Sequence, residues 1–215
     1  MRPVDKGNAP KTYRAYEEAR DDLLERLGTY CSYCEMSIKN MPEVEHVIPR
    51  ANGGAELEWD NFLLSCKYCN TSKSNHNQNR DDYVWPDECN TFKLFRYQRN
   101  HPIKVSDSII EEERIKAQNT IDLMKLDRQP GSANWNNHKD TRYRSRANAW
   151  GMALDAYEDL KEVGNEERIM KWICQSAVEC GHFSIWMEVF KTNSKMRELL
   201  VSSFKGTDKR YFSSN

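Results

Sequence analysis

The residue types best suited to chemistry in this 215-residue sequence lie in and between two matched pairs, Cys31-Ser-Tyr-Cys34 and Cys66-Lys-Tyr-Cys69. A Cys-x-x-Cys spacing puts two sulfurs on one tight turn, and two such turns supply the four thiolates of a tetrahedral zinc site. A site of this kind contributes on the order of 10 kcal/mol to folding, enough to order a short segment that has little apolar core of its own. The expected zinc is therefore scaffold rather than catalyst. Cys89, Cys174 and Cys180 have no such partner spacing and read as small apolar packing residues.

Between the pairs run Val44-Glu45-His46-Val47-Ile48-Pro49-Arg50 and Trp59-Asp60-Asn61-Phe62-Leu63-Leu64, and Asn70-Thr71-Ser72-Lys73 follows the second pair at once. Phosphodiester hydrolysis needs a base to take a proton from water, a cation to offset charge on the phosphate, and groups that hold both in place. His46 suits the base, because imidazole is the side chain that exchanges protons near neutral pH. Glu45 and Asn70 offer hard oxygens, matched to Mg²⁺ or Mn²⁺ and not to the soft thiolate site, so two distinct metal sites are expected. Neighbouring residues on a regular strand point to opposite faces, so Glu45 and His46 can share one centre only at a bulge or strand end, which Pro49 makes credible. Asn61 would brace the loop carrying His46, and Lys73 and Arg50 are candidates to meet a substrate phosphate. His76, His101, His138 and His182 lack such a setting, and only His76, close behind the motif, merits a test as a spare ligand.

Over about residues 28–75 these motifs resemble the HNH endonuclease family, in which a hairpin and a helix grip one divalent ion, and the cysteine bracket is similar to its zinc-stapled branch. The resemblance implies His46 as general base, Glu45 and Asn70 as metal ligands and Asn61 as the structural middle residue. The family usually carries Asp where this chain has Glu45, and many members carry His where it has Asn70. Over about the first hundred residues, MRPVDKG, LGTYCSYCEMSI, VEHVIPR, WDNFLLSCKYCNTSK and YVWPDECNTF resemble the HNH component of Septu-type and retron-associated anti-phage systems. That likeness implies a PtuA-like ATPase partner, a retron reverse transcriptase with its RNA–DNA, and a role in bacterial defence. Two rivals stand beside this reading: an RNA-cleaving (tRNA-cleaving) nuclease of the same fold, and a non-catalytic zinc-ribbon binding module.

The elements that must position these residues follow from spacing. Pro3, Gly7 and Pro10 mark an extended arm, and Tyr13 to Leu27 places Tyr16, Ala19, Leu23 and Leu27 at helical intervals before Gly28. Residues 1–27 thus form an arm and helix, 28–100 the nuclease module, with strands around Val44 to Pro49 and Asn61 to Leu64, and 101–215 a helical domain for partner binding. In the last, Ser106 or Asp107 can cap a helix running toward Pro130-Gly131. Further runs cover Arg142 to Val163, Glu166 to Cys180 and parts of Trp186 to Phe204. The expected class is α+β: a zinc-stapled ββα-metal (HNH) module with a helical C-terminal domain. Lys139, Arg142, Arg144 and Arg146 read as a solvated helix face, with nucleic acid as the alternative. A formal net charge of −1 gives no long-range pull on a DNA or RNA substrate, so phosphate attraction must be local or come from a partner. No apolar run approaches the roughly 20 residues that span a bilayer and no signal-peptide core is evident, so a cytoplasmic, membrane-free protein is expected.

Replacing Cys31 or Cys66 by Ser should release the zinc and unfold about residues 28–75, because a site missing one thiolate loses much of its binding free energy. Elemental analysis should find one zinc per wild-type chain; a folded wild-type protein containing none would refute the scaffold role.

Overall fold

Among the described residues the named strands form two short antiparallel ribbons, three isolated bridges lie outside them, and helices supply most of the remaining regular structure. The computed structural model describes residues 1–135 and 139–213. Helix α1 (Ala19–Leu27) precedes strands β1 (Glu43–His46) and β2 (Phe62–Ser65), and helix α2 (Lys67–Lys73) follows β2 directly. After these come α3 (Thr91–Leu94), β3 (Phe95–Arg96), β4 (Lys104–Val105), α4 (Glu111–Met124), α5 (Arg142–Val163), α6 (Glu167–Cys180), α7 (Phe183–Val189) and α8 (Ser194–Ser203). The mixed α+β class expected from the sequence is the one formed. No helix among the described residues is long and apolar enough to cross a membrane.

In the first ribbon Glu43 pairs with Ser65, Val44 with Leu64, Glu45 with Leu63 and His46 with Phe62. All four β2 residues are buried, the pattern of a strand covered on both faces. Helix α1 packs on this ribbon through Ala19, Leu23 and Leu27, a face set by helical spacing, and Gly28 ends it at φ 76°, a conformation that favours glycine. The helix begins later than its periodicity predicts. Tyr13 leaves the helical line to stack on Trp59, with centroids 6.1 Å apart, and only a 3₁₀ turn at Tyr16–Glu18 leads into α1.

One hydrophobic cluster gathers α1, β1, β2, Trp85 and the inner face of α4, and extends to Ala149 and Ile185. A second gathers α6, α7 and α8, where Met170, Ile173, Cys174 and Ala177 form one stripe of α6. The arm pairs through Val4 with Thr207, and Arg2 and Lys6 on it are buried. Arg2 donates to Leu27 O at 2.9 Å and Thr207 Oγ1 at 3.1 Å, joining α1 to the end of the chain. Helix α4 ends at Met124, short of Pro130, because Lys125 adopts the left-handed conformation at φ 53°. Neither Ser106 nor Asp107 caps that helix, whose N-cap is Ile110.

The β1–β2 connection turns at Gly53 (φ +81°) and Gly54, where an added Cβ on Gly54 would lie 1.9 Å from the Ile48 carbonyl oxygen. Gly54→Ala should therefore cost about 3 kcal/mol through overpacking. Gly53→Ala meets open space and should cost only about 1 kcal/mol, through its left-handed backbone. At roughly 2–4 °C per kcal/mol for a chain of this size, thermal melts should rank the two variants in that order; the reverse order would contradict the close approach.

Candidate active site and metal centre

Cys31 and Cys34 sit on the turn after α1, closed by the bridge between Tyr30 and Ser37. Cys66 ends β2 and caps α2, its sulfur accepting from Cys69 N at 3.4 Å. One helical turn thus brings the second pair together, and the short step from β2 to α2 aims it at the first. All four sulfurs lie within 4.8 Å of one another and all four residues are buried. A tetrahedral zinc thiolate has sulfur–sulfur edges of about 3.8 Å, given Zn–S bonds of about 2.3 Å; Cys34 and Cys66 are 3.6 Å apart. An all-sulfur donor set of this size fits zinc. No other cluster of metal-ligating side chains occurs among the described residues.

Beside it, β1, the following loop and α2 enclose an open cleft of about 410 Å³ lined by Glu45, His46, Arg50, Asn70 and Lys73, together with Tyr16 and Ser74. His46 is the last residue of β1, and both it and Glu45 line the cleft. The imidazole is wedged edge-on between Tyr16 and Phe62, with centroids 5.0 and 5.1 Å away, and its Nε2 lies 2.9 Å from Glu56 O. A carbonyl can only accept, so Nε2 carries the proton and Nδ1 is the basic nitrogen.

Glu45 is 2% exposed. The Tyr33 hydroxyl donates to its Oε2, and Lys73 Nζ lies 2.5 Å from its Oε1. Burial, reinforced by the Glu45 carboxylate, raises the Tyr33 phenol well above its ordinary value and keeps it a donor. Lys73 also donates to His46 O at 2.7 Å and is buried. It is turned inward onto β1 and not outward toward a phosphate. Arg50 stays at the mouth of the cleft, paired with Glu56 at 2.7 Å and lying over the Tyr16 ring. Asn70 Nδ2 donates to Glu43 Oε2 at 2.6 Å, which leaves Oδ1 as the atom available to a cation.

Asn61 ties the loop to the hairpin. Its Oδ1 accepts from Ile48 N at 2.8 Å, and its Nδ2 donates to Ile48 O at 3.0 Å and Ala55 O at 2.8 Å. His76 is exposed and lies outside the cleft, as does His101. His182 is fully buried against Ser145 Oγ at 2.8 Å, and burial, with Arg146 adding to it, lowers its pKa to about 3, so it is neutral. His138 lies outside the described residues.

The basic run at the head of α5 is a correction to both of its expected readings. Arg142 is 1% exposed and Arg146 6%, so neither is a solvated face or a nucleic-acid patch; only Arg144 of the three is exposed. They turn inward because the cysteine centre and several carbonyls lie there: Arg142 Nη1 donates to Cys69 Sγ at 3.1 Å and Met124 O at 2.9 Å. Burial disfavours its charge, but Cys69 and Asp140 outweigh that and hold its pKa well above the usual value. Two further residues escaped the sequence reading. Glu43 shares a strand face with Glu45 at period two, and that signal could have found it. Tyr33, inside the first cysteine pair, carries no comparable signal.

Residues 31–76, which hold the cysteine centre, the hairpin, α2 and the cleft, match the HNH endonuclease family. This part of the chain is therefore similar to an HNH endonuclease domain. The chain is also similar to the Septu protein PtuB of Bacillus thuringiensis, 28% identical over 111 residues, a stretch covering 48% of this chain and 39% of that protein. The match therefore spans well under half of the relative's length.

Asn61→Ala removes three part-buried hydrogen bonds that hold Ile48 and Ala55 in place, a cost on the order of 1–2 kcal/mol. A lower melting temperature with unchanged zinc content is the expected result; an unchanged melt would show that the loop is held by other contacts.

Proposed function

We propose that this chain is a metal-dependent HNH endonuclease that hydrolyses phosphodiester bonds in nucleic acid and acts in anti-phage defence with a PtuA-like ATPase. The observation that carries the reading is the convergence of His46, Glu45 and Asn70 on one cleft at the junction of β1 and α2. His46 Nδ1 takes the proton of the attacking water, while Glu56 O fixes the tautomer from the other side of the ring. The Tyr16 and Phe62 edges hold the imidazole plane, so that the base needs no reorganisation when substrate arrives.

Glu45 Oε1 is buried and has no hydrogen-bond donor; its partner is the charge of Lys73. Asn70 lines the same cleft, and with its amide nitrogen committed to Glu43 its Oδ1 is the remaining ligand atom. These hard oxygens fit Mg²⁺ or Mn²⁺ as its ligands. When bound, such an ion supplies positive charge against the phosphate and the departing 3′ oxygen. Arg50, at the cleft mouth, is placed to meet the phosphodiester backbone. The zinc held by the cysteines remains structural. The ATPase partner rests on the similarity to PtuB. The near-neutral net charge of −1 suits a nuclease that acquires its substrate within a complex.

His46→Ala should lower cleavage roughly 10²-fold or more with zinc content and melting temperature unchanged, the scale of a general base. EDTA should abolish cleavage before it removes zinc, and Mg²⁺ or Mn²⁺ should restore it. The assay uses DNA and total RNA, with the chain alone and with its ATPase partner. Wild-type cleavage by His46→Ala, in a preparation free of contaminating nuclease, would overturn the reading and favour a binding module.

A further inference from the structure

Two elements of the helical half close on the two cysteine turns. The first turn is met by the start of α7. There His182 N donates to Glu35 O at 2.8 Å, and Ser184 donates to the Glu35 carboxylate through N at 3.0 Å and Oγ at 2.6 Å. The second turn is met by the start of α5. There Tyr68, between Cys66 and Cys69, bonds Thr141 Oγ1 at 3.0 Å, and Arg142 donates to the Cys69 sulfur itself.

The charges around this junction do not balance without a metal. Arg142 is paired with Asp140 at 2.7 Å, and Arg128 approaches the same carboxylate at 3.8 Å. Arg146 makes no ion pair among the described residues; its guanidinium donates to Arg128 O at 2.9 Å. Three guanidinium groups therefore share this junction with two buried carboxylates, Asp140 and Glu35, which leaves at least one positive charge in excess in a region largely removed from water, unfavourable without counter-charge. Zinc bound by four thiolates carries two negative charges. Four neutral thiols carry none.

We propose that the zinc–tetrathiolate is the counter-ion of this arginine cluster, so that metal binding and the docking of α5 and α7 onto the nuclease module are one coupled event, with Arg142 as the linking residue. This stands independently of the nuclease reading. Its reach into the cleft is direct, because Asn70 follows Cys69 in the chain, and the contact that anchors Cys69 also fixes the helix from which Asn70 and Lys73 project.

The test measures zinc affinity by competition with a chromophoric chelator for wild type, Arg142→Met and the exposed control Arg144→Met. Arg142→Met should bind zinc about 10–100-fold more weakly, the usual effect of losing a group hydrogen-bonded to a ligand, and the control should match wild type. In the cobalt(II)-substituted protein the thiolate-to-metal charge-transfer band of Arg142→Met should move to lower energy, because the sulfur has lost its N–H donor. Should Arg142→Met fail to fold, hydrogen exchange on the wild-type chain decides the matter. Removing zinc should strip protection from residues 141–150 and 182–186 as well as from the cysteine turns. Zinc affinity of Arg142→Met within twofold of wild type, or retained protection of α5 after zinc removal, would overturn the proposal.

Discussion

The cysteine cluster governs this structure through one residue that has three tasks. Cys66 terminates β2, caps α2 and contributes a sulfur to the four-sulfur cluster. Strands of four residues and a helix of seven are too short to stand alone in water. Their mutual angle is set by where Cys66 and Cys69 must sit to reach Cys31 and Cys34. The cleft lies beside that junction, so its geometry is inherited from a cysteine cluster that takes no part in the proposed chemistry.

Several buried charges are held in pairs: Lys73 with Glu45, Lys6 with Asp87 and Arg142 with Asp140. Such pairs add little net stability, because desolvation offsets most of the attraction, yet each strongly penalises any arrangement that separates its members. Their value here is positional. Each joins segments distant in the chain or locks the entry to a helix, and together they leave few alternative ways to assemble the short elements.

What could be read in advance was local. The cysteine spacing, the strand positions around His46 and Asn61, and the bounds of α5 all follow from neighbours within a few residues, with Gly164 at φ 76° stopping the helix where expected. What could not be read depends on partners far along the chain. Nothing near Arg142 announces that its guanidinium meets a sulfur 73 positions earlier. Lys73 read as a candidate to meet a phosphate because its inward partner, Glu45, lies on another element. The late start of α1 likewise reflects Trp59, a residue that helical periodicity cannot see.

The clamp of Tyr33 and Lys73 on Glu45 also bears on how such a domain can diverge. Tyr33 stands between Cys31 and Cys34, and Lys73 lies against the strand that carries His46, so neither can change without altering the carboxylate between them. Shortening Glu45 to Asp would withdraw the carboxylate from both partners by one methylene, leaving a buried ammonium and a buried phenol to be re-satisfied. Positions 33, 45 and 73 therefore act as a single packed unit. Replacing any one of the three disturbs the contacts of the other two, and Tyr33 thereby ties the first cysteine turn to the carboxylate that lines the cleft.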